Sequence, residues 1–147
     1  MFGRMLAQYE TDAAQTIEGT FEVVNYDTAN SDPYGLVTTG AAWKFTSIWN
    51  GYYYITASLM FTSAAWLAGE RGVLAVYLDG SVAAYIDRCN VQTNNTFYMF
   101  LGGNYLAYIP SGSYIDIRVS HDNGSSINLS SNAYYNQVSI FHAGYYV

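Results

Sequence analysis

The chain is poor in charge, cysteine and histidine, and each shortage removes a class of function. Among 147 residues there are five Lys and Arg against eleven Asp and Glu, for a formal net charge of −6. Five cations cannot build the dense positive surface that phosphate backbones demand, so nucleic acid is not expected as a partner. One cysteine rules out an intrachain disulfide, and Cys89, set between Arg88 and Asn90, reads as a buried or half-buried inert thiol. With only two histidines, His121 and His142, it makes no recognised zinc-ligand spacing. Nowhere do eighteen apolar residues run together, which argues against a membrane-spanning helix and membrane insertion. The opening residues, Met1 to Glu10, turn polar and acidic before the hydrophobic region of a signal peptide develops, so no export signal is expected. Three Asn-x-Ser/Thr triplets, at Asn94, Asn123 and Asn128, are accordingly read as turn chemistry rather than as glycan acceptors.

What is abundant is aromatic and apolar: 51% of the residues are hydrophobic, 18% are aromatic, and 16 are tyrosine. Low charge with that much apolar surface excludes disorder. A single domain of this length buries roughly 68–70% of its unfolded surface, enough to fold without a structural metal. So many ring hydroxyls suit half-exposed surfaces better than a dry core.

The apolar spacing is period two. Tyr53, Ile55, Ala57, Leu59 and Phe61 fall on one face of a strand, with Tyr54, Thr56, Ser58 and Met60 on the other. Leu74, Val76 and Leu78 alternate with Val73, Ala75 and Tyr77 up to Asp79-Gly80, a dipeptide suited to a tight hairpin, and residues 81–87 should fold straight back. Ile115, Ile117 and Val119 point inward while Asp116 and Arg118 point outward. Further candidate strands are 21–26, 43–46, 97–108, 127–129 and 137–142, separated by Gly, Asn, Ser and Asp clusters. No segment sustains helical spacing; residues 64–68 read as at most a helical turn cut short by Gly69. Short strands with turn signals between them predict an antiparallel sandwich, jelly roll or barrel. Residues 1–20 are the least patterned and read as an extended N-terminal arm of the same unit, ahead of a domain over 21–147.

Several of these pieces, in order, resemble the C1q/TNF-like globular domain. Thr39-Gly40-Ala41-Ala42-Trp43-Lys44-Phe45-Thr46, then Gly51-Tyr52-Tyr53-Tyr54-Ile55, is similar to that family's T-G-x-F-T … G-x-Y-x-F signature. Val76-Tyr77-Leu78-Asp79-Gly80 resembles its strand ending in an Asn-Gly or Asp-Gly hairpin. Ile109-Pro110-Ser111-Gly112-Ser113-Tyr114-Ile115 resembles its L-x-x-G-D-x-I element, and Tyr135 to Phe141 its closing strand. Ile48 stands where the family usually has proline and Ser113 where it usually has aspartate, and Trp43 and Lys44 lengthen the first motif. That variant resembles a bacteriophage branch of the fold, found in virion decoration proteins and fibre tips. The resemblance implies an all-β, antiparallel, ten-stranded jelly-roll sandwich that works as a homotrimer around a three-fold axis.

Chemistry is sparse. His121 adjoins Asp122, but no serine sits in a nucleophile elbow, and the pair reads as a turn-capping aspartate beside a partly solvated histidine. The eleven acids are scattered, so the two flanking carboxylates of a glycosidase are not expected, nor is any enzyme. Asp27 to Asp32 is an oxygen-rich stretch, yet it lacks the spacing and terminal glutamate of a calcium loop and reads as a polar turn before Pro33, so no cofactor is expected.

Interface cores are rich in Tyr, Trp and Phe and depleted of Lys and Glu, which is this chain's bias. Tyr52, Tyr54, Tyr77, Tyr114, Phe141, Tyr145 and Tyr146 are therefore candidate contacts with further copies or partners. The expected function is a virion structural protein, a trimeric capsid decoration or cement protein bound to viral coat protein. The alternative is a knob at the tip of a phage fibre or tail, whose loops carrying Trp66, Asn94, Asn95, Asp122, Asn123, Tyr134 and Tyr135 meet a host surface glycan.

Overall fold

The computed structural model describes residues 3–40 and 42–144. Its strands are β1 (Arg4–Glu10), β2 (Thr16–Ile17), β3 (Glu22–Val23), β4 (Thr28–Ser31), β5 (Val37–Thr38), β6 (Lys44–Thr46), β7 (Gly51–Met60) and β8 (Ala64–Trp66). They continue as β9 (Arg71–Leu78), β10 (Ser81–Asn90), β11 (Asn95–Phe97), β12 (Phe100–Ile109), β13 (Tyr114–His121), β14 (Ile127–Asn128) and β15 (Gln137–Gly144). Two antiparallel sheets form the sandwich. One has the order β12-β7-β15-β1-β4; the other runs β10-β9-β13-β6-β5, with β3 also paired to β13. The short pairs β8–β11 and β2–β14 lie outside them. No helix among the described residues is long and apolar enough to cross a membrane.

The alternation read from the sequence organises the core. Tyr53, Ile55, Ala57 and Leu59 of β7 are buried, as are Val138 and Ile140 of β15, and they face Leu74, Val76, Ile115, Ile117 and Val119 of the other sheet. One end of the core is aromatic: Trp43 takes Tyr26 edge-on at 5.6 Å and Tyr9 at 6.1 Å, while Phe45 meets Tyr53 at 5.9 Å. A buried tyrosine needs a partner for its hydroxyl. Tyr26 donates to the Ser58 carbonyl, Tyr53 to the Trp49 carbonyl and Tyr9 to the Asp32 carboxylate.

The Asp79-Gly80 hairpin forms as expected, both residues at positive φ (49° and 81°), which an inverse-type two-residue turn requires. Asp79 also accepts from the Tyr114 amide and donates its own to the Tyr114 carbonyl, tying the turn to β13.

The sequence reading needs correction in several places. Residues 4–10, expected in an extended arm, are an inner strand between β15 and β4; a bulge between Met5 and Ala7 leaves Leu6, Ala7 and Tyr9 all buried. Residues 64–66 are strand β8 rather than a helical turn, because pairing with β11 supplies the backbone partners. The single strand expected over 97–108 divides into β11 and β12. Thr28–Ser31, within the stretch weighed as a polar turn, is strand β4, and Asp32 beyond it accepts from the Leu36 and Val37 amides.

His121 is not partly solvated. It is buried, with Nε2 against the Ile17 carbonyl at 2.9 Å, Nδ1 facing the Asn123 amide, and its ring edge-on to Phe61. Asp116 lies on the outward side of β13 but is covered there; the Arg118 guanidinium grips it with two hydrogen bonds, 2.7 and 3.1 Å, and lies over the Tyr77 ring at 4.1 Å. Val73 and Ala75, on that same side of β9, are buried as well; Ala75 is flanked in register by Tyr85 and Arg118, with Phe21 stacked on Tyr85.

The two sheets close on each other along β10 and β12. Asp87 accepts from the Gly102 amide at 2.8 Å, and a Cβ on Gly103 would fall inside contact distance of the Ile86 carbonyl. Gly103→Ala should therefore cost about 2 kcal/mol, a fall in Tm of roughly 4–8 °C by circular dichroism; an unchanged Tm refutes the tight seam.

Burial, with the Asp32 hydrogen bond adding to it, pushes the Tyr9 hydroxyl up to about 12, and burial alone raises Tyr26 further still. The unfolded chain releases these protons from about pH 10 while the folded chain keeps them. Stability should hold up to about pH 10 and fall as the pH rises towards 12. Urea unfolding across that range checks it, with Tyr9→Phe expected to flatten the fall.

Candidate functional site

The outward face of the five-stranded sheet carries no charge over its three longest strands. On β7 the outward residues are Tyr52, Tyr54, Thr56, Ser58 and Met60; on β12 they are Phe100, Gly102, Asn104, Leu106 and Tyr108; on β15, Gln137, Ser139 and Phe141. Register sets them in rows across the sheet. Tyr108 lies opposite Tyr52, their rings edge-on at 5.7 Å. Leu106 lies opposite Tyr54, which faces Phe141 on its other side, and Phe141 faces Met5 of β1.

This end of the face is an apolar patch. Leu106 is 54% exposed and Tyr54 39%, with Tyr52 and Tyr108 similar. Large apolar side chains grouped in this way are what a monomer rarely leaves open to water. The opposite end holds Phe100, edge-on to Tyr135 at 6.4 Å, with Tyr98 and Tyr134 well exposed beyond it. Between the ends the rows are polar: Asn104, Thr56 and Ser139, then Gly102, Ser58 and Gln137.

The structure divides the candidate contacts named from sequence. Tyr52, Tyr54 and Phe141 come together on this face. Tyr77 and Tyr114 lie on the other sheet, on the far side of the sandwich. The Tyr77 hydroxyl is raised by burial while its ring packs on Arg118 and Phe21, and the Lys44 ammonium lies 5.1 Å from the Tyr114 ring. Tyr145 and Tyr146 fall outside the described residues.

The expected ligand-facing loops divide too. Trp66 is buried, not loop-exposed: β8 turns it inward against Phe61, Phe97 and His121, each about 6.1 Å away. Asn95 pairs with it in the β8–β11 ladder. Asn94 accepts from the Ala68 amide, Asp122 pairs with Arg71, and Asn123 donates to the Ala65 carbonyl and to Glu70. These groups are occupied in holding one end of the sandwich together. Tyr134 and Tyr135 remain exposed, Tyr134 by 85%.

The sequence reading missed Met5, Phe100, Leu106 and Tyr108. The alternation of Leu106 and Tyr108 with Tyr105 and Ala107 was available, but their pairing to β7 was not, because nothing local to either strand sets that ten-residue register. Among the described residues no group of three or more His, Cys, Asp or Glu side chains is placed to hold a metal. Burial raises the Cys89 thiol, which keeps it protonated and poorly nucleophilic.

No protein-family model matches the chain, and neither does any curated protein. Solved structures do. Murine APRIL resembles it with a TM-score of 0.62 at 10% identity, over 94% of this chain and 98% of that one. Eiger TNF from S. frugiperda resembles it with a TM-score of 0.61 at 7% identity, over 98% and 96%. The fold is thus the antiparallel jelly roll of TNF-like proteins, and at such identities the likeness concerns the fold alone.

Proposed function

We propose that the chain is a non-enzymatic structural protein that assembles as a homotrimer through the aromatic end of its five-stranded sheet. One observation carries this reading: exposed Tyr52, Tyr54, Leu106 and Tyr108, with half-buried Phe141 beside them, form an uncharged apolar patch on the sheet. Its composition is that of an interface core. A ring of three copies closes, so the patch is consumed without leaving an open edge for further growth.

The particular role we assign is a bacteriophage capsid decoration protein, bound to viral coat protein in the assembled virion. The T-G-A-A-W-K-F-T sequence around Trp43 supports it, with the symmetry match between a trimer and the local three-fold positions of a shell. Binding across neighbouring coat subunits stabilises a shell as any native-state ligand stabilises what it binds. A second reading, a recognition knob at a fibre or tail tip, is favoured by the exposed Tyr98 and Tyr134 at the other end of the molecule.

Light scattering on the purified protein should give three times the chain mass. Tyr54→Arg and Leu106→Glu, both on exposed positions, should each give the single-chain mass with an unchanged circular dichroism spectrum. A wild-type monomer at micromolar concentration refutes self-association.

Virions lacking the chain should be inactivated by heat sooner than intact ones. Equal resistance refutes the shell role, and blocking of host adsorption by the purified protein would favour the knob.

A further inference from the structure

A shallow hollow of about 360 Å³ opens on the same sheet face, towards the end of β7 remote from Tyr52. The hollow begins one row beyond the apolar patch: Thr56 and Asn104, which line it, are the next outward positions after Tyr54 and Leu106, about 7 Å along the strands. Its floor is low because position 102 has no side chain. The Phe100 ring leans over that glycine, so near that a Cβ there would lie 3.1 Å from the ring. Tyr135 stands edge-on to Phe100, and the Ser58 hydroxyl donates to the Tyr135 carbonyl at 2.9 Å, fixing this aromatic wall beside the floor.

The hydrogen-bonding groups here differ from those that tie the loops together. Asn94, Asp122, Asn123 and Asn136 all spend their side chains on internal bonds. Asn104, Thr56 and Ser139, aligned in one row over three strands, and Gln137 in the next make no side-chain hydrogen bond to another described residue. Two amides and two hydroxyls thus face the hollow unengaged. No cation or carboxylate lines it, and Asp87, which reaches the floor from β10, is committed to the Gly102 amide.

Uncharged donors and acceptors beside an aromatic wall suit a ligand with one apolar C–H face and a ring of hydroxyls. A bare polar floor does not suit a hydrocarbon, and the absence of cations does not suit an anion. The volume lies at the lower end of the roughly 300–1,000 Å³ typical of small-molecule sites.

We propose that this hollow is a binding subsite for a neutral saccharide unit, which packs its C–H face on Phe100 and hydrogen-bonds to Asn104, Gln137, Thr56 and Ser139. The inference deepens the recognition reading above and rests on it only for the source of the sugar. It does not depend on the shell assignment, and in a trimer it requires that the interface leave the Phe100 end of this face open.

The test is a titration of the isotope-labelled full chain with glucose, galactose, N-acetylglucosamine and maltose, followed by backbone amide shifts. At least one sugar should shift amides confined to residues 56–58, 100–104 and 137–139. Asn104→Ala and Gln137→Ala should each weaken that binding about tenfold without changing the unfolding midpoint, and glucuronate should bind no more tightly than glucose. No shift with any of the sugars up to tens of millimolar, or shifts that both variants leave unchanged, overturns the proposal. The two readings fail separately: a monomer that still binds sugar refutes only self-association, and a trimer without a sugar response refutes only the subsite.

Discussion

Most of the structure depends on the register of β7. This strand is central in its sheet, paired to β12 along its whole length and to β15 over most of it. Its odd residues build the core, and its even residues build both the apolar patch and the polar floor. Because side chains alternate, a slip of one residue would expose Ile55 and Leu59 and bury Tyr54 and Ser58. Three polar contacts at and around the strand oppose such a slip. Tyr53 donates to the Trp49 carbonyl at one end, and Tyr26 reaches from the β3–β4 connection to the Ser58 carbonyl. At the other end the Met60 amide donates to Asn136, whose own amide group is buried and donates to the Thr11 and Ser130 carbonyls. Moving β7 would leave these buried groups unpaired, a cost of roughly 1–3 kcal/mol for each.

The wealth of tyrosine has two explanations, separated by the sheet surface. Inside, Tyr9, Tyr26 and Tyr53 fill volume as phenylalanine would, but the Tyr9 and Tyr26 hydroxyls also tie their rings to distant parts of the chain, and that of Tyr53 fixes the turn that enters β7. Outside, Tyr52, Tyr54 and Tyr108 provide apolar area that still tolerates water. Low charge suits the same surface, since a lysine or glutamate in those outward rows would have to be desolvated by any partner that covered them.

Fold class, the core face of β7, the inward residues of β13 and the Asp79-Gly80 hairpin were legible in the sequence because each depends on local spacing. What was not legible depends on partners far along the chain. Arg4–Glu10 has weak internal patterning, and only β15 and β4 on either side make it an inner strand. Trp66 and His121 sit in turn-like contexts, yet they bury each other's rings from segments over fifty residues apart. The candidate site was legible in part: the outward tyrosines of β7 and Phe141 of β15 could be read, but their neighbours on β12 could not.

The likeness to structures at 7–10% identity has the same origin. A sandwich of this kind constrains which positions are apolar and where the turns fall, and many residues satisfy such constraints equally well. The outward face is under no such constraint, since the fold needs only that its residues tolerate a strand. An uncharged row of Asn104, Thr56 and Ser139 next to Phe100 and Gly102 is not required by the core, the hairpins or the seam at Gly103. What the fold leaves free in this way is where function can be written, and on this chain the uncharged face of the five-stranded sheet is such a place.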